Sequence, residues 1–362
     1  MSLIACNNCQ QAYPQDDIPY NCPNCGGIFS FSNSLTFDPQ KVEHNLPGIW
    51  PYRHVFNLPQ NAPIVTLGEG NTPLVWGSAF NHEIAFKLEY LNPTGSFKDR
   101  GTALLVSFLV SKDVEEAVED SSGNAGASLA AYATRVGLKC RVFVPDYASG
   151  PKRDQIINYG AEVVRILGPR TNAAEAVRRA ADQGNIYASH AYLPQGLPGF
   201  SVIAYELLNQ LGEAPGSVVS PVGQGSLLLG VGYGFQSLKN ADMIDNLPAL
   251  VGVQALACAP MWSVYVNGPM GLNWVTEGET IAEGVRIRNP LRGDELLQVV
   301  ESSQGSFVAI EEEAIMTGRD HLARMGFYVE PTSAVVWNAL EQIVDDLPEP
   351  IVVLLTGSGL KT

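Results

Sequence analysis

The sequence predicts an α/β protein in which helices flank parallel sheets, arranged in two domains and preceded by a small four-cysteine module. Two observations support this class. From about Ile64 onward, short apolar runs rich in β-branched residues alternate with longer segments of helical periodicity, a pattern typical of βαβ units. Ahead of that region, four of the six cysteines lie between Cys6 and Cys25.

The alternating segments predict the following elements in chain order. Apolar runs bounded by turn residues predict strands at 84–88, 140–145, 161–167, 216–221, 250–257 and 351–355. Apolar residues that recur at every third or fourth position predict helices at 102–109, 125–136, 171–183, 202–211, 311–325 and 333–344. Because parallel strands need long crossover connections, this order favours sheets with helices on both faces.

Charge and composition limit the classes of partner. The 362 residues include 37 acidic and 22 basic side chains, which give a net charge of −15, and 46% of the residues are hydrophobic. An acidic globular chain is repelled by phosphate backbones and anionic lipids, so we expect no nucleic-acid and no membrane partner. No run approaches the ~18 apolar residues of a membrane-spanning helix, and residues 1–10 lack the pattern of a secretory signal. These features predict a cytoplasmic protein.

The four N-terminal cysteines form two C-x-x-C pairs, Cys6 with Cys9 and Cys22 with Cys25. Each pair is a tight turn that directs two thiolates towards one tetrahedral ion, which makes the four residues candidate ligands of a structural zinc. Four thiolates fill the coordination of a tetrahedral zinc and leave no open position for catalysis. Such a module therefore stabilises the fold or docks onto another part of the protein. Four reduced thiols without metal are the alternative. Residues 1–40 contain no lysine or arginine, which argues against a nucleic-acid-binding zinc module.

In open α/β sheets, ligands bind at the loops that follow the carboxyl ends of the strands, and three such loops carry candidate residues. The first, residues 92–101, begins with turn residues and delivers Lys98 to a helix entrance. The positive end of the helix dipole favours a neutral amine there, which makes Lys98 a candidate nucleophile that forms an imine. A solvated surface lysine is the alternative.

In the second loop, Ser121, Ser122 and Asn124 precede an alanine-rich helix, whose free N–H groups suit a carboxylate. An ordinary helix cap is the alternative. The third loop, residues 223–227, lies between a predicted strand and a helix and offers backbone N–H groups and a hydroxyl to a phosphate. It matches neither the P-loop nor the dinucleotide fingerprint. An imine-forming lysine, a carboxylate site and a phosphate site together predict pyridoxal phosphate as the cofactor.

Four ordered motifs resemble those of threonine synthases. They are GEGNTPL at 68–74, NPTGSFKDRG at 92–101, SSGNAG at 121–126 and TGSGLK at 356–361. More broadly, residues 64–361 are similar to the tryptophan-synthase-β-like, or fold type II, pyridoxal-phosphate enzymes, which include cysteine synthases, threonine and serine dehydratases and cysteate synthase. The resemblance implies a lyase of amino-acid biosynthesis that converts O-phosphohomoserine and water to threonine and phosphate. It also implies a homodimer with a small-molecule amino-acid substrate.

The resemblance implies roles for individual positions. Lys98, preceded by Phe97 in the cofactor-binding motif, matches the lysine that holds the cofactor covalently and later moves protons. Asn124 matches the residue that hydrogen-bonds the cofactor's phenolic oxygen, and Thr356 matches the hydroxyl that faces the pyridine nitrogen. The matching phosphate loop consists of Gly223, Gln224, Gly225, Ser226 and Leu227. The matching substrate-binding residues are Ser121, Ser122 and Ser189.

The resemblance and the residue patterns together predict four parts of the chain. They are a zinc-ribbon-like module (1–30), a linker with the first part of the large domain (31–91), a small mobile domain (92–186) and a large cofactor-binding domain (187–362). Closure of the small domain over the large one would keep water away from the reaction.

One departure from the family concerns the substrate. Threonine synthases usually have an Asn-Ser segment and then an arginine that bind the substrate's phosphate, whereas no arginine occurs here between Arg179 and Arg286. A buried phosphate without a guanidinium loses charge-assisted hydrogen bonds of about 1.5–3 kcal/mol each. A threonine/serine dehydratase-type ammonia-lyase and a cysteate-synthase-like replacement enzyme therefore stay open.

Other residues near these motifs keep two interpretations. Arg286, Arg288 and Arg292 are candidates to replace the missing arginine. Glu283 gives this segment an Ala-Glu-Gly form that is closer to dehydratases, although a carboxylate that caps a turn is the simpler explanation. His190 follows Ser189 in the segment that normally carries the phosphate-binding residues, and a loop histidine with an ordinary hydrogen bond is its simpler explanation.

Overall fold

The computed structural model describes residues 3–31, 34–148 and 150–362. These residues divide into two compact units. Unit 1 contains the described residues up to Glu69, together with Lys98–Gly199 and Thr362, and unit 2 contains Gly70–Phe97 and Phe200–Lys361. Each unit is built on a mainly parallel sheet with helices, so the predicted α/β class is confirmed.

The secondary structure is as follows. The strands are β1 (Ile4–Cys6), β2 (Phe29–Phe31), β3 (Leu74–Ala79), β4 (His82–Lys87), β5 (Glu116–Glu119), β6 (Lys139–Pro145), β7 (Glu162–Ile166), β8 (Ile186–Tyr187), β9 (Ser217–Pro221), β10 (Ala249–Ala255), β11 (Ser306–Ile310) and β12 (Ile351–Leu354). The α-helices are α1 (Lys98–Ser111), α2 (Asn124–Val136), α3 (Pro151–Asn158), α4 (Arg170–Asp182), α5 (Leu197–Leu211), α6 (Ser226–Asn240), α7 (Pro260–Asn267), α8 (Gly293–Ser302), α9 (Glu312–Arg324) and α10 (Pro331–Ile343). Short 3₁₀ helices lie at Pro39–Lys41, Trp50–Val55, Glu89–Leu91, Pro194–Gly196, Leu256–Cys258, Gly268–Trp274, Glu283–Val285, Val344–Asp346 and Gly359–Lys361.

Unit 1 contains two sheets. The cysteine module is an antiparallel pair, β1 with β2, and its small core includes Ile4, Phe29 and the partly buried Tyr13. The second sheet has four parallel strands in the order β7-β6-β5-β8. Its core includes Val118 of β5 and Tyr187 of β8. Ligand-binding loops are expected at the carboxyl edge of this sheet.

Unit 2 contains a six-stranded sheet in the order β11-β10-β9-β12-β4-β3. All neighbouring strands are parallel except β3, which pairs with β4 in antiparallel register. Strands β9, β10 and β12 are buried along their whole length, which is why they read in the sequence as continuous apolar runs. Helices α9 and α10 contribute Ile315, Leu322 and Val336 to the core.

Each predicted strand corresponds to an observed one, namely β4, β6, β7, β9, β10 and β12, and each predicted helix corresponds to α1, α2, α4, α5, α9 or α10. The sequence did not indicate helices α3, α7 and α8 or strands β3, β5, β8 and β11. Strand β5 has four residues with a glutamate at each end, and β8 has two residues. Over the described ranges, no helix is both long and apolar enough to cross a membrane.

Candidate active site

Lys98 is the first residue of α1, and the loop before it is fixed by the C-terminal motif of the chain. The backbone N–H of Phe97 donates to the carbonyl of Thr356 at 3.0 Å, and Ser96 pairs with Gly357 in a short antiparallel bridge. Gly95 has a φ of 82°, and a Cβ at this position would lie 3.0 Å from the side chain of Lys361. Glycine is therefore needed for this turn.

The same C-terminal motif places Thr356 at the end of β12. Its backbone N–H donates to the Ser333 hydroxyl at 2.8 Å, and the residue is only 2% exposed. The structure gives its Oγ1 no hydrogen-bond partner among the residues it describes. A buried hydroxyl in this state suits a hydrogen bond to a bound molecule.

The Ser121–Asn124 loop leads from β5 into α2. The Ser121 hydroxyl accepts from the N–H of Gly123 at 3.3 Å, and Asn124 is the first residue of the helix. Gly126 must be a glycine, because a Cβ would collide with the Ser121 carbonyl oxygen. The N-cap residue, Gly123, has no side chain that could cap this helix, and a helix start of this kind suits an anion.

Helix α1 begins at Lys98 and helix α2 begins at Asn124, and a hydrogen bond joins the two helices near these first residues. The Ser128 hydroxyl of α2 donates to Oδ1 of Asp99 in α1 at 2.6 Å, and both side chains are buried. A charge-assisted hydrogen bond of this kind is stronger than a neutral one. It fixes the start of α1, where Lys98 lies, against the start of α2.

The loop 223–227 joins β9 to α6 in unit 2. Gly225 has a φ of 81° and caps α6, and a Cβ on Gly223 would collide with the carbonyl oxygen of Gly284. The Gln224 side chain accepts from the N–H of Leu291 at 3.1 Å, which ties the loop to the segment before α8. The first turn of α6, at Ser226 and Leu227, offers unpaired N–H groups to a phosphate.

These groups fit pyridoxal phosphate, the cofactor that the resemblance implies. Its phosphate needs several N–H donors, which the first turn of α6 supplies in unit 2. Its pyridine nitrogen needs one hydrogen-bonding group, and Thr356 has a buried hydroxyl with that capacity. Its aldehyde needs an amine, which Lys98 supplies at the start of α1.

The carboxyl ends of β5 and β8 are joined by two side-chain contacts that the sequence did not reveal. Glu119 ends β5, His190 follows β8, and Oε1 of Glu119 lies 3.1 Å from Nδ1 of His190. The hydroxyl of Tyr187, the last residue of β8, donates to Oδ1 of Asp120 at 2.7 Å. Parallel pairing of the two strands therefore brings together polar groups that are distant in sequence.

Burial favours the uncharged form of both members of this pair. Burial raises the pKa of the Glu119 carboxyl well above its usual value and Asp120 raises it further, whereas Lys98 and Arg170 lower it. Burial lowers the pKa of His190 well below its usual value, and Lys98 and Arg170 lower it further. Both dominant shifts favour the neutral form of the group. Arg170, the first residue of α4, is a basic group that sequence reasoning did not single out.

The remaining candidate residues have clear structural surroundings. The Ser189 hydroxyl accepts from the N–H groups of Ala191 and Tyr192 at 3.3 and 3.4 Å, which closes a turn. Arg286 donates to the carbonyl of Glu277 at 3.2 Å, and Arg292 is 3% exposed. Arg288 is exposed. These three arginines belong to unit 2.

The four cysteines of the N-terminal module have their sulfur atoms within 4.8 Å of one another. The sulfur atoms of Cys6 and Cys25 are 3.5 Å apart, and those of Cys9 and Cys22 are 3.6 Å apart. A Cβ on Gly27 would lie 2.8 Å from the Cys6 sulfur, so glycine leaves room for the cluster. This arrangement could hold one metal ion.

Comparisons with known proteins agree with this chemistry. A family model described as pyridoxal-phosphate dependent enzyme matches residues 65–357. The chain is similar to the threonine synthases of Methanocaldococcus jannaschii (33% identity, 99% of this chain and 93% of that protein) and Mycobacterium tuberculosis (33% identity, 90% and 92%).

Solved structures give the same picture. The chain is similar to a threonine deaminase from T.th., with a TM-score of 0.67, 26% identity and coverage of 79% of this chain and 92% of that one. It shares its fold with maize serine racemase, with a TM-score of 0.68, 19% identity and coverage of 80% and 88%. The family match spans most of the sequence, and the chain therefore belongs to the pyridoxal-phosphate-dependent enzymes.

Proposed function

We propose that this protein is a threonine synthase, which converts O-phosphohomoserine and water to threonine and phosphate. The observation that carries the proposal is the similarity to threonine synthases over nearly the whole chain, which includes the motif at 92–101 that contains Lys98. The lysine lies at a helix start whose loop is paired with the C-terminal motif, an arrangement that orients its amine.

Residues of several loops would hold pyridoxal phosphate. Lys98 would bind it covalently, with Phe97 beside it, and Asn124 would hydrogen-bond its phenolic oxygen. Its phosphate would be held by the N–H groups and hydroxyl of the loop formed by Gly223, Gln224, Gly225, Ser226 and Leu227. When bound, the cofactor supplies an electron sink that stabilises negative charge on the substrate's Cα.

Thr356 would set the strength of that electron sink. Its hydroxyl, unlike a carboxylate, does not hold a proton on a pyridine nitrogen, so the ring would withdraw electrons mildly. A mild sink suits elimination and replacement better than transamination.

Residues of unit 1 would bind the substrate and move its protons. The Ser121 and Ser122 hydroxyls and the first N–H groups of α2 would bind the substrate carboxylate, with Ser189 supporting the neighbouring turn. The amine of Lys98 would then remove the proton from Cα and carry it to another carbon of the substrate.

The reaction can be tested directly. We expect the protein loaded with cofactor to release phosphate and threonine in equal amounts from O-phosphohomoserine, and to release neither product with homoserine as the control. Phosphate can be measured by colorimetry and threonine by chromatography. Absence of both products, together with 2-oxobutyrate formation from threonine, would overturn the proposal.

A second candidate is an ammonia-lyase of the threonine/serine dehydratase type or a cysteate-synthase-like enzyme. It is favoured by the absence of arginine from the sequence between Arg179 and Arg286. The similarity to threonine deaminase, at 26% identity, is compatible with it. Formation of 2-oxobutyrate from threonine, or of cysteate from an activated serine and sulfite, would identify these activities.

We further propose that the cysteine module binds one structural zinc through Cys6, Cys9, Cys22 and Cys25. The proposal is supported by the closeness of their sulfur atoms, within 4.8 Å. As the resemblance implies, the protein would act as a cytoplasmic homodimer. Sedimentation velocity would test the dimer, and metal analysis would test the zinc.

A further inference from the structure

Glu119 and His190 form a polar pair at the carboxyl edge of the four-stranded sheet. The side chain of Glu119 is 1% exposed and that of His190 is 24% exposed. Oε1 of Glu119 faces Nδ1 of His190 at 3.1 Å. Oε2 of Glu119 is buried and has no hydrogen-bond partner among the residues that the structure describes. A buried polar pair with unused capacity calls for a functional explanation.

The orientation of the pair leaves one nitrogen for a ligand. Because Nδ1 faces Glu119, Nε2 lies on the other side of the ring, and 24% of the His190 side chain is exposed. Ser121, the first residue of the Ser121–Asn124 loop, lies two residues after Glu119. The charge of Lys98 lowers the pKa of both Glu119 and His190. The imidazole is therefore within electrostatic range of Lys98, and it belongs to the same unit as the loop and the lysine to which we assign the substrate.

We propose that His190 transfers protons at the leaving group and at the attacking water, and that Glu119 is its positioning residue. This inference rests on the proposed function. The amine of Lys98 takes the proton from the substrate's Cβ, and the electron pair of that bond forms a Cβ–Cγ double bond as the bond between Cγ and the phosphate oxygen breaks with its electron pair on oxygen. The amine later gives a proton to Cγ, and the Nε2–H proton of His190 moves to the leaving oxygen. The Glu119 proton moves to Nδ1 at the same time, which leaves the negative charge on the carboxylate.

The second half of the reaction restores the pair. Water forms a bond from its oxygen to the substrate's Cβ and gives a proton to Nε2 of His190. The proton on Nδ1 then returns to Glu119. One proton leaves the pair and one returns in each turnover, so the protein ends as it began. Such acid–base transfer contributes typically ~10²–10⁴-fold to rate.

The surroundings of the pair suit this exchange. The charged and titratable groups that act on it are Asp120 after β5, Cys140 on β6, Tyr187 on β8, Lys98 on α1 and Arg170 on α4. Burial favours the neutral resting pair, in which Nε2 carries a proton. The positive charges of Lys98 and Arg170 then stabilise the carboxylate that forms when the proton leaves.

Two variants of His190 separate proton transfer from packing. In His190→Asn the amide can keep the hydrogen bond to Glu119 but has no group at the Nε2 position. In His190→Gln the amide can replace the Nε2–H donor but cannot transfer a proton. We expect both variants to lose about 10²-fold or more in kcat with O-phosphohomoserine. Exchange of the α-proton of 2-aminobutyrate in D₂O, followed by NMR, should stay within about twofold of wild type, because the amine of Lys98 performs it.

A spectroscopic measurement examines the pair without turnover. The chain has five histidines, and comparison with His190→Asn identifies the His190 signal in ¹H–¹⁵N spectra. We expect the neutral tautomer with hydrogen on Nε2 near neutral pH, and Glu119→Gln should change this signal. A neutral tautomer with hydrogen on Nδ1 would overturn the proton-donor role.

The kinetic outcomes are distinct. Wild-type turnover in His190→Asn would make the imidazole structural, and wild-type turnover in His190→Gln would reduce its role to hydrogen bonding, so either result overturns the inference. Equal losses of turnover and α-proton exchange would also overturn it. If wild-type protein releases no phosphate from O-phosphohomoserine, the proposed function fails as well, and that result is distinguishable because it needs no variant.

Discussion

The cysteine module and the carboxyl edge of the four-stranded sheet both belong to unit 1, but they collect polar groups in different ways. In the module, two tight turns place four identical thiols within 4.8 Å of one another. At the edge, Glu119 and His190 are 71 residues apart and meet because β5 pairs with β8. The thiols can satisfy one tetrahedral ion completely, whereas at the edge only Nδ1 of His190 faces Glu119, and the role that we propose for His190 uses the other nitrogen. One arrangement therefore suits stability and the other suits chemistry.

The largest effect that separates the two regions should come from Lys98→Ala. Without the amine, we expect no visible absorption band of bound cofactor and a loss of turnover beyond the ~10²–10⁴-fold of a single acid–base group. The metal content of the cysteine module should not change. Lys112→Ala is the control, because this lysine contacts the Gln15 carbonyl at the other end of α1. A coloured, active Lys98→Ala protein would refute the role of this lysine.

The opposite result, a change in the cysteine module without a change in cofactor binding, should come from Cys22→Ser. This variant removes a thiol that is 1% exposed. Metal binding and folding are coupled in small zinc modules, with apparent binding energies of ~10–16 kcal/mol in peptides. We expect loss of the metal and rapid chymotrypsin cleavage near Tyr13 and Tyr20, while the cofactor stays bound. Elemental analysis and timed digestion measure both effects.

The matched control for that variant is Cys258→Ser, which alters a buried cysteine of unit 2. It should leave the metal content and the cleavage pattern of the module unchanged. Retention of the full metal content by Cys22→Ser would show that the four-thiol ligand set is wrong.

The same contrast explains what the sequence could predict. The cysteine pairs and the motif around Lys98 are local, since each is a turn whose residues lie within a few positions, and such patterns are visible in one dimension. Strands β9 and β12 were also visible, because burial on both faces makes them continuous apolar runs.

The Glu119–His190 pair could not be predicted in this way. Strand β5 is short and has glutamates at both ends, and β8 has only two residues, so neither stands out as a strand. Their pairing is decided by the packing of α4 and the neighbouring strands. The one available signal was the presence of two acidic residues, Glu119 and Asp120, directly before the Ser121–Asn124 loop, where small residues would suffice for packing.

A smaller effect should come from Tyr20, which joins the two regions. Its ring packs edge-on against Tyr187 and Tyr192, with centroids 5.4 and 5.3 Å away, and these two residues flank His190. Aromatic pairs contribute about 0.5–1.5 kcal/mol each beyond the buried area, so Tyr20→Ala should cost roughly 1–3 kcal/mol in urea unfolding. It should also reduce kcat severalfold while the metal content is unchanged.

Tyr20→Phe is the control, because it keeps the ring contacts. We expect its stability and kcat to be close to those of wild type. If Tyr20→Ala lost metal but kept full activity, the module and the edge would be independent, and the ring contacts would have no role in holding the His190 segment.

The smallest effect concerns the charge of Glu119. Burial raises its pKa in the folded protein above the usual value of 4.5. Its contribution to stability is therefore complete below that value and is lost as pH rises through the folded pKa, because the unfolded chain releases a proton that the folded protein keeps. The decline is at most ~1.4 kcal/mol per pH unit. Glutamine cannot ionise, so Glu119→Gln should lack this part of the pH dependence.

Urea unfolding at mildly acidic and mildly alkaline pH measures the difference between wild type and Glu119→Gln. An equal slope in wild type and Glu119→Gln would mean that Glu119 is ionised in the folded protein. In that case Nε2 of His190 would carry no proton in the resting protein, and the pair could not supply a proton to a leaving group. The edge would then differ from the cysteine module only in how its polar groups are arranged, and not in its capacity for acid–base chemistry.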